Sequence, residues 1–150
     1  DALNKINPDF IRLRTLAIPE NIGLYDEYMA GRFEKCTDLM MAKEILLFIE
    51  NLNGITSMIK SDHILNLFED VEGKLPRDKE KIISVLRLFL DMPREQQIKY
   101  QIGRRLGIFS RLADMKNSNR LENAENACIR LGITPDNVDK TVDELMQRFV

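Results

Sequence analysis

From residue 6 to residue 19 the chain alternates in the rhythm of an extended strand. Phe10, Arg12, Arg14 and Leu16 fall on one face, and Ile11, Leu13, Thr15 and Ala17 on the other. Two arginines thus sit among apolar neighbours, which suits a strand with one greasy face against helices and one face toward an anion or a polar substrate. After Pro19 the period lengthens. A short helix is expected over Ile22 to Met29, ended by Gly31, and Thr37 is placed to cap a stronger one. In that second helix Met41, Ala42, Ile45, Leu46, Phe48, Ile49 and Leu52 make a broad apolar stripe, stopped by Gly54. Residues 55–61, rich in β-branched and short side chains, read as a second strand. Strand, helix, strand predicts a parallel pair. Two parallel strands make a poor sheet alone, so further strands or covering helices are required.

The rest of the pattern is helical. Residues 64–69 suit a short helix, and Pro76 is expected to open a longer one with Ile82, Val85, Leu86, Phe89 and Leu90 on its inner side. Pro93 closes that helix and starts the next, marked by Ile98, Ile102, Leu106 and Phe109 and weakened or kinked by Gly103 and Gly107. Residues 117–119 cap a helix carrying Leu121, Ala124, Cys128 and Leu131. The last begins at Thr134 with Pro135 in its first turn, and buries Val138, Val142, Leu145, Met146 and Phe149. The expected class is α+β, mostly α: two parallel strands in a βαβ unit, then a helical C-terminal region. Residues 1–116 are read as one unit and 117–150 as a helical hairpin extension.

Composition narrows the function classes. With 22 Lys plus Arg against 24 Asp plus Glu, a formal charge of -2 argues against a protein that coats nucleic acid or a membrane surface. Cys36 and Cys128 are far apart and form no CxxC, so neither a disulfide framework nor a metal site is indicated. No apolar run approaches the ~20 residues of a membrane span and no signal-peptide pattern leads the chain, so the cytoplasm is the expected compartment. A chain that opens on Asp1, with a buried-looking strand and little before it, reads as a piece of a larger protein.

Candidate chemistry gathers after the strands. Ser61-Asp62-His63, followed by Asn66, stands just beyond the second strand, at the edge of a parallel sheet where ligands collect. His63, the only histidine, is the candidate proton donor or acceptor, while Asp62 or Ser61 could equally cap a following helix. Arg12 and Arg14 need anions nearby if buried, either a ligand carboxylate or a protein glutamate or aspartate. Arg104, Arg105 and Arg111, with Lys99, Lys116 and Arg120, form a basic run that reads as a solvated helical face or as a phosphate contact.

The ordered blocks Asn7-Pro8-Asp9-Phe10-Ile11-Arg12-Leu13-Arg14-Thr15-Leu16, Phe48-Ile49-Glu50-Asn51-Leu52, Ser61-Asp62-His63-Ile64-Leu65-Asn66-Leu67, Glu72-Gly73-Lys74-Leu75-Pro76 and Gly103-Arg104-Arg105-Leu106-Gly107 carry a resemblance. Over residues 6–115 the chain resembles the C-terminal part of radical S-adenosylmethionine iron–sulfur oxidoreductases, distantly akin to oxygen-independent coproporphyrinogen oxidases and methylthiotransferases. The resemblance implies a partial (β/α)6 barrel in which residues 10–17 and 55–61 are late strands. It also implies Arg12 and Arg14 on the inner face toward S-adenosylmethionine or substrate, with Asp62, His63 and Asn66 at the mouth. Relatives hold a [4Fe–4S] cluster through a CxxxCxxC loop near the start of the barrel, and that loop is absent here. Cluster and S-adenosylmethionine are therefore expected of a full-length parent, with no cofactor in this chain, which alone should be inert. Where relatives carry Pro-Gly-Thr-Pro-Leu, this chain has Pro19-Glu20-Asn21-Ile22-Gly23-Leu24, which changes the turn. The implied partner is the rest of the barrel, and exposed strands could pair two copies of the fragment. The alternative is a free-standing helical interaction module that meets a protein or nucleic acid through the basic helical face.

Overall fold

The computed structural model describes residues 2–149. The chain runs α1 (Ala2–Ile6), β1 (Phe10–Arg12), α2 (Gly23–Met29), α3 (Asp38–Glu50), β2 (Met58–Lys60), β3 (Gly73–Lys74), α4 (Lys79–Leu90), α5 (Arg94–Arg105), a 3₁₀ turn (Leu112–Lys116), α6 (Ser118–Arg130), α7 (Val138–Met146) and a closing 3₁₀ turn (Gln147–Phe149). This is an α+β fold, mostly α. The βαβ unit is present, with β1 and β2 parallel in the register Phe10↔Met58, Ile11↔Ile59, Arg12↔Lys60. The short β3 adds to the other side of β2 in the antiparallel sense. The sheet order is β1-β2-β3, so β2 is central and β1 has an open edge among the described residues.

Both parallel strands are shorter than the alternation predicts, because side chains intercept the backbone groups that would extend the ladder. Before β2, the Thr56 N–H donates to Asn7 Oδ1 at 2.7 Å and the Ser57 hydroxyl to the Pro8 carbonyl at 2.5 Å. After β1 one more ladder bond forms, from Leu13 N–H to the Lys60 carbonyl at 2.8 Å, and then the Thr15 N–H goes to Asn66 Oδ1 at 2.9 Å. Local side-chain partners compete with sheet pairing in this way wherever Asn, Ser and Thr cluster.

The helices follow their stripes more closely. Thr37 caps α3 through Met40 N–H at 3.3 Å, and Asn117 caps α6 through Arg120 N–H at 3.1 Å. α3 packs on α4, and their inner faces meet the buried side of the sheet in one cluster that includes Ala42, Ile49, Ile59, Val71, Ile82, Leu86 and Phe89. Phe68, Phe89, Tyr100 and Phe109 belong to the same cluster, their neighbouring ring centroids 5.1–5.9 Å apart in stacked, tilted and edge-on pairs. A second cluster joins α7 (Val138, Val142, Leu145, Met146) to Ile98 and Ile102 of α5 and to Leu65. Ala124 of α6 lies in the main cluster, so the hairpin shares the core of the preceding residues.

Four expectations need correcting. Residues 64–69 form a turn-rich loop, held by buried hydrogen bonds to the arginines of α5. Pro76 precedes α4 by three residues, because Asp78 first closes the β3 turn through Lys74 N–H at 2.8 Å. Pro135 likewise sits in a turn, with the Thr134 N–H bonded to Asn137 Oδ1 at 2.8 Å, and α7 starts at Val138. Phe149 lies beyond α7 in the closing turn and is 48% exposed.

Candidate functional site

The parallel register places Phe10, Arg12, Met58 and Lys60 on one face of the sheet and Ile11 and Ile59 on the other. Ile59 is fully buried under the helices, whereas Phe10 is 64% exposed and Arg12 is exposed. The helix-covered face and the open face are thus sharply different. At the C-terminal ends of the two strands Arg12 Nη2 lies 3.3 Å from Asp62 Oδ2, both side chains about half exposed, and Lys60 lies 3.8 Å from Glu72. An exposed pair of this kind holds the two side chains together weakly, by about 0–1 kcal/mol. His63 is half-buried beside them. Its Nδ1 accepts a long bond, 3.4 Å, from the Leu65 N–H, which in the neutral ring puts the proton on Nε2.

Arg14 is exposed and edges a cavity of about 200 Å³ between its loop and α3, lined also by Thr15, Asp38, Met41, Ser61 and Asn66. The structure therefore brings Arg12 to Asp62 and places His63 next in the chain, with Arg14 farther along the first loop. Asn66, expected to contact a ligand at the mouth, is instead turned inward. It is 4% exposed and spends its amide within the protein. Its Oδ1 accepts from Thr15 N–H (2.9 Å) and Thr15 Oγ1 (3.2 Å), and its Nδ2 donates to the Leu13 carbonyl (3.0 Å) and Ser61 Oγ (3.1 Å). It ties the loop after β1 to the loop after β2.

The basic run is divided by burial, with Arg111, Lys116 and Arg120 exposed. Arg104 and Arg105 are 6% and 5% exposed and point into the protein. Arg104 donates to the carbonyls of Asn66 (3.1 Å) and Ile64 (3.3 Å) and to Glu69 (2.8 Å). Arg105 donates to the Leu65 carbonyl (2.6 Å) and to Asp38 Oδ1 (2.5 Å) in a fully buried pair. Lys99 and Arg120 are paired with Glu125 and Asp114. The reason is that α5 is buried on nearly every side, from Gln97 to Arg105, so its polar side chains must find partners in the loops it supports.

Residues that the pattern did not single out carry much of this scaffold. Asp38 reads as an ordinary first-turn acid of α3, yet it anchors Arg105 and accepts from Gln101 at 3.3 Å. Tyr100 donates to the Leu67 carbonyl at 3.0 Å, and burial drives its hydroxyl pKa far upward. The run of Gln and Arg inside an apolar-periodic helix was the available signal, since such residues on an inner face imply a satisfied polar network.

Cys36 and Cys128 are both free and half-buried, and burial raises the pKa of both thiols. Among the described residues no group of three or more His, Cys, Asp or Glu side chains is placed to hold a metal ion. Cluster ligation needs several thiolates converging on one point. Among the described residues no helix is long and apolar enough to cross a membrane. Comparison with models of known protein families, with curated proteins and with solved structures finds no match to this chain.

Proposed function

We propose that this chain supplies the last two parallel strands of the partial barrel of a radical S-adenosylmethionine iron–sulfur oxidoreductase, and is inert without the rest of it. One observation supports the reading: among the described residues the parallel pair β1–β2 packs its Ile11/Ile59 face into the core, while Phe10 and Arg12 on the other face are exposed and the β1 edge is unpaired. Parallel strands are ordinarily covered on both faces and paired on both sides. Earlier strands of a barrel would pair with β1 and turn the open face into an interior. Arg12 and Arg14 would then meet a carboxylate or another polar group, and Asp62 and His63 would stand at the mouth, where His63 Nε2 can give or take a proton. Substrate and product chemistry would be set by the parts that hold the cluster.

The test starts from the coding sequence. A CxxxCxxC motif within a couple of hundred codons upstream of Asp1 in the same reading frame supports the proposal, and a start codon close by with no such motif removes it. Anaerobic reconstitution with iron and sulfide then separates the parts. The complete protein should take up a [4Fe–4S] cluster and cleave S-adenosylmethionine, whereas residues 1–150 should stay colourless. A stoichiometric cluster absorption band on the 150-residue chain would overturn the division of labour. The competing reading, a free-standing helical interaction module that meets a protein or nucleic acid, would have to use the exposed Arg111, Lys116 and Arg120, because Arg104 and Arg105 are buried.

A further inference from the structure

We propose that α7 and the closing turn after it clamp the loop that follows β1, with Asp143 and Gln147 as anchoring residues that hold this loop and the segment after α2 in one fixed geometry. The loops after β1 and β2 leave the C-terminal ends of the parallel strands, and the first, residues 13–22, runs with no regular structure. A free loop of that length would sample many conformations. Here it is fastened at two levels. At Leu13 and Thr15 the Asn66 amide ties it to the second loop. At Ile18 the backbone carbonyl accepts a bond from Gln147 Nε2, 3.0 Å away and 129 residues later in the chain.

α7 leads into the turn that carries Gln147. Its Val138, Val142, Leu145 and Met146 share one hydrophobic cluster with Ile98 and Ile102 of α5, Leu65 of the second loop and Ala17 of the first. Asp143 pairs with the Lys35 ammonium, whose side chain is only 9% exposed. A lysine buried to that degree needs its counter-charge. The C-terminal segment thereby fixes the first loop at Ile18 and, through Lys35, the segment after α2. The loop that carries Asp62 and His63 is held separately, by Arg104 and Arg105 of α5. The inference rests on the preceding reading only in taking the mouth that these loops border as ligand-facing.

Amide hydrogen exchange on the full 150-residue chain tests it. Gln147→Ala and Asp143→Asn should each speed exchange at Thr15 and through residues 13–22 by about tenfold or more, with the α4 amides unchanged, the signature of local rather than global opening. Lys35→Asp should loosen the loop likewise, and adding Asp143→Lys should restore part of the protection. Unchanged Thr15 protection in both first variants, or an equal loss spread over α4, would overturn the clamp. Loosened loops in a protein whose parent fails cluster reconstitution would leave the clamp standing and remove the oxidoreductase reading. The reverse result would do the opposite.

Discussion

At the scale of single residues, tolerance is decided by what lies a few ångströms from an added or removed atom. Gly103 is in mid-helix, where sequence rules count it as a weakness of about 1 kcal/mol relative to alanine. A Cβ built there would lie 2.4 Å from two ring carbons of Phe109, which folds back onto α5 after the turn at Gly107. Gly103→Ala should therefore destabilise, by roughly 1–3 kcal/mol for overpacking less the helix gain. Denaturant midpoints should fall for the single variant and recover in part when Phe109→Leu is added. Asp70 gives a prediction in pH. Burial raises its carboxyl pKa, Asp114 adds to the rise, Arg111 and backbone N–H groups oppose it, and its Oδ1 has no partner. The folded state thus holds the Asp70 proton more tightly than the unfolded state does, so its penalty grows as pH rises from the ordinary carboxylate range through the folded value. Asp70→Asn should raise the melting temperature at pH 7 by roughly 1–3 °C, with the difference vanishing near pH 4. Asp78 works in the opposite direction. Its hydrogen bond from Arg77 and one from the Lys74 N–H lower its pKa to about 2, so its contribution is present at neutral pH and is lost only in strong acid.

At the scale of elements, the helices were legible in the sequence and the strands only half so. The 3.6-residue stripe Ile82, Val85, Leu86, Phe89 and Leu90 marks the inner side of α4, which buries Ile82, Leu86 and Phe89, adds Ile83 and leaves Val85 and Leu90 half-buried. Alternation records which face is which but not how far the ladder runs, and here the competing bonds from Asn7, Ser57 and Asn66 end it after three residues. The polar side of α5 was illegible for another reason. Arginines on an inner helix face look like a solvated stripe until the loop carbonyls they bind are in place, and those carbonyls belong to residues 64–66, about forty positions away. The open edge of β1 has its own consequence. An unpaired, half-apolar strand is a template for another chain, so the 150-residue chain should self-associate as concentration rises. Phe10→Lys places a charge on that strand and should shift the sedimentation equilibrium toward monomer. Its thermal stability should change little, because Phe10 is 64% exposed and contributes little to the core.

For the whole molecule, the two arginine pairs provide opposite readouts of the same architecture. Arg105 belongs to the scaffold: its guanidinium is 2% exposed, bonded to Asp38 and to the loop behind His63. Removing it strands a buried carboxylate, which costs about 3–5 kcal/mol, so Arg105→Ala should severely destabilise the 150-residue chain on its own. Arg12 belongs to the open face, half exposed and held by one weak pair with Asp62. Arg12→Glu should therefore move the stability of the isolated chain by less than about 1 kcal/mol. If the open face is the interior of a larger barrel, the same substitution puts a negative charge where a cation was meant to meet a polar group. In the complete protein Arg12→Glu should then lower turnover by roughly 10²-fold or more, in line with losing a charged contact to bound substrate. Differential scanning calorimetry on the 150-residue chain and turnover on the proposed larger protein measure the two halves of this contrast. Equal, small effects in both settings would mean that the open face meets nothing. A large loss of stability in the 150-residue chain would mean that Arg12, like Arg105, is part of the scaffold.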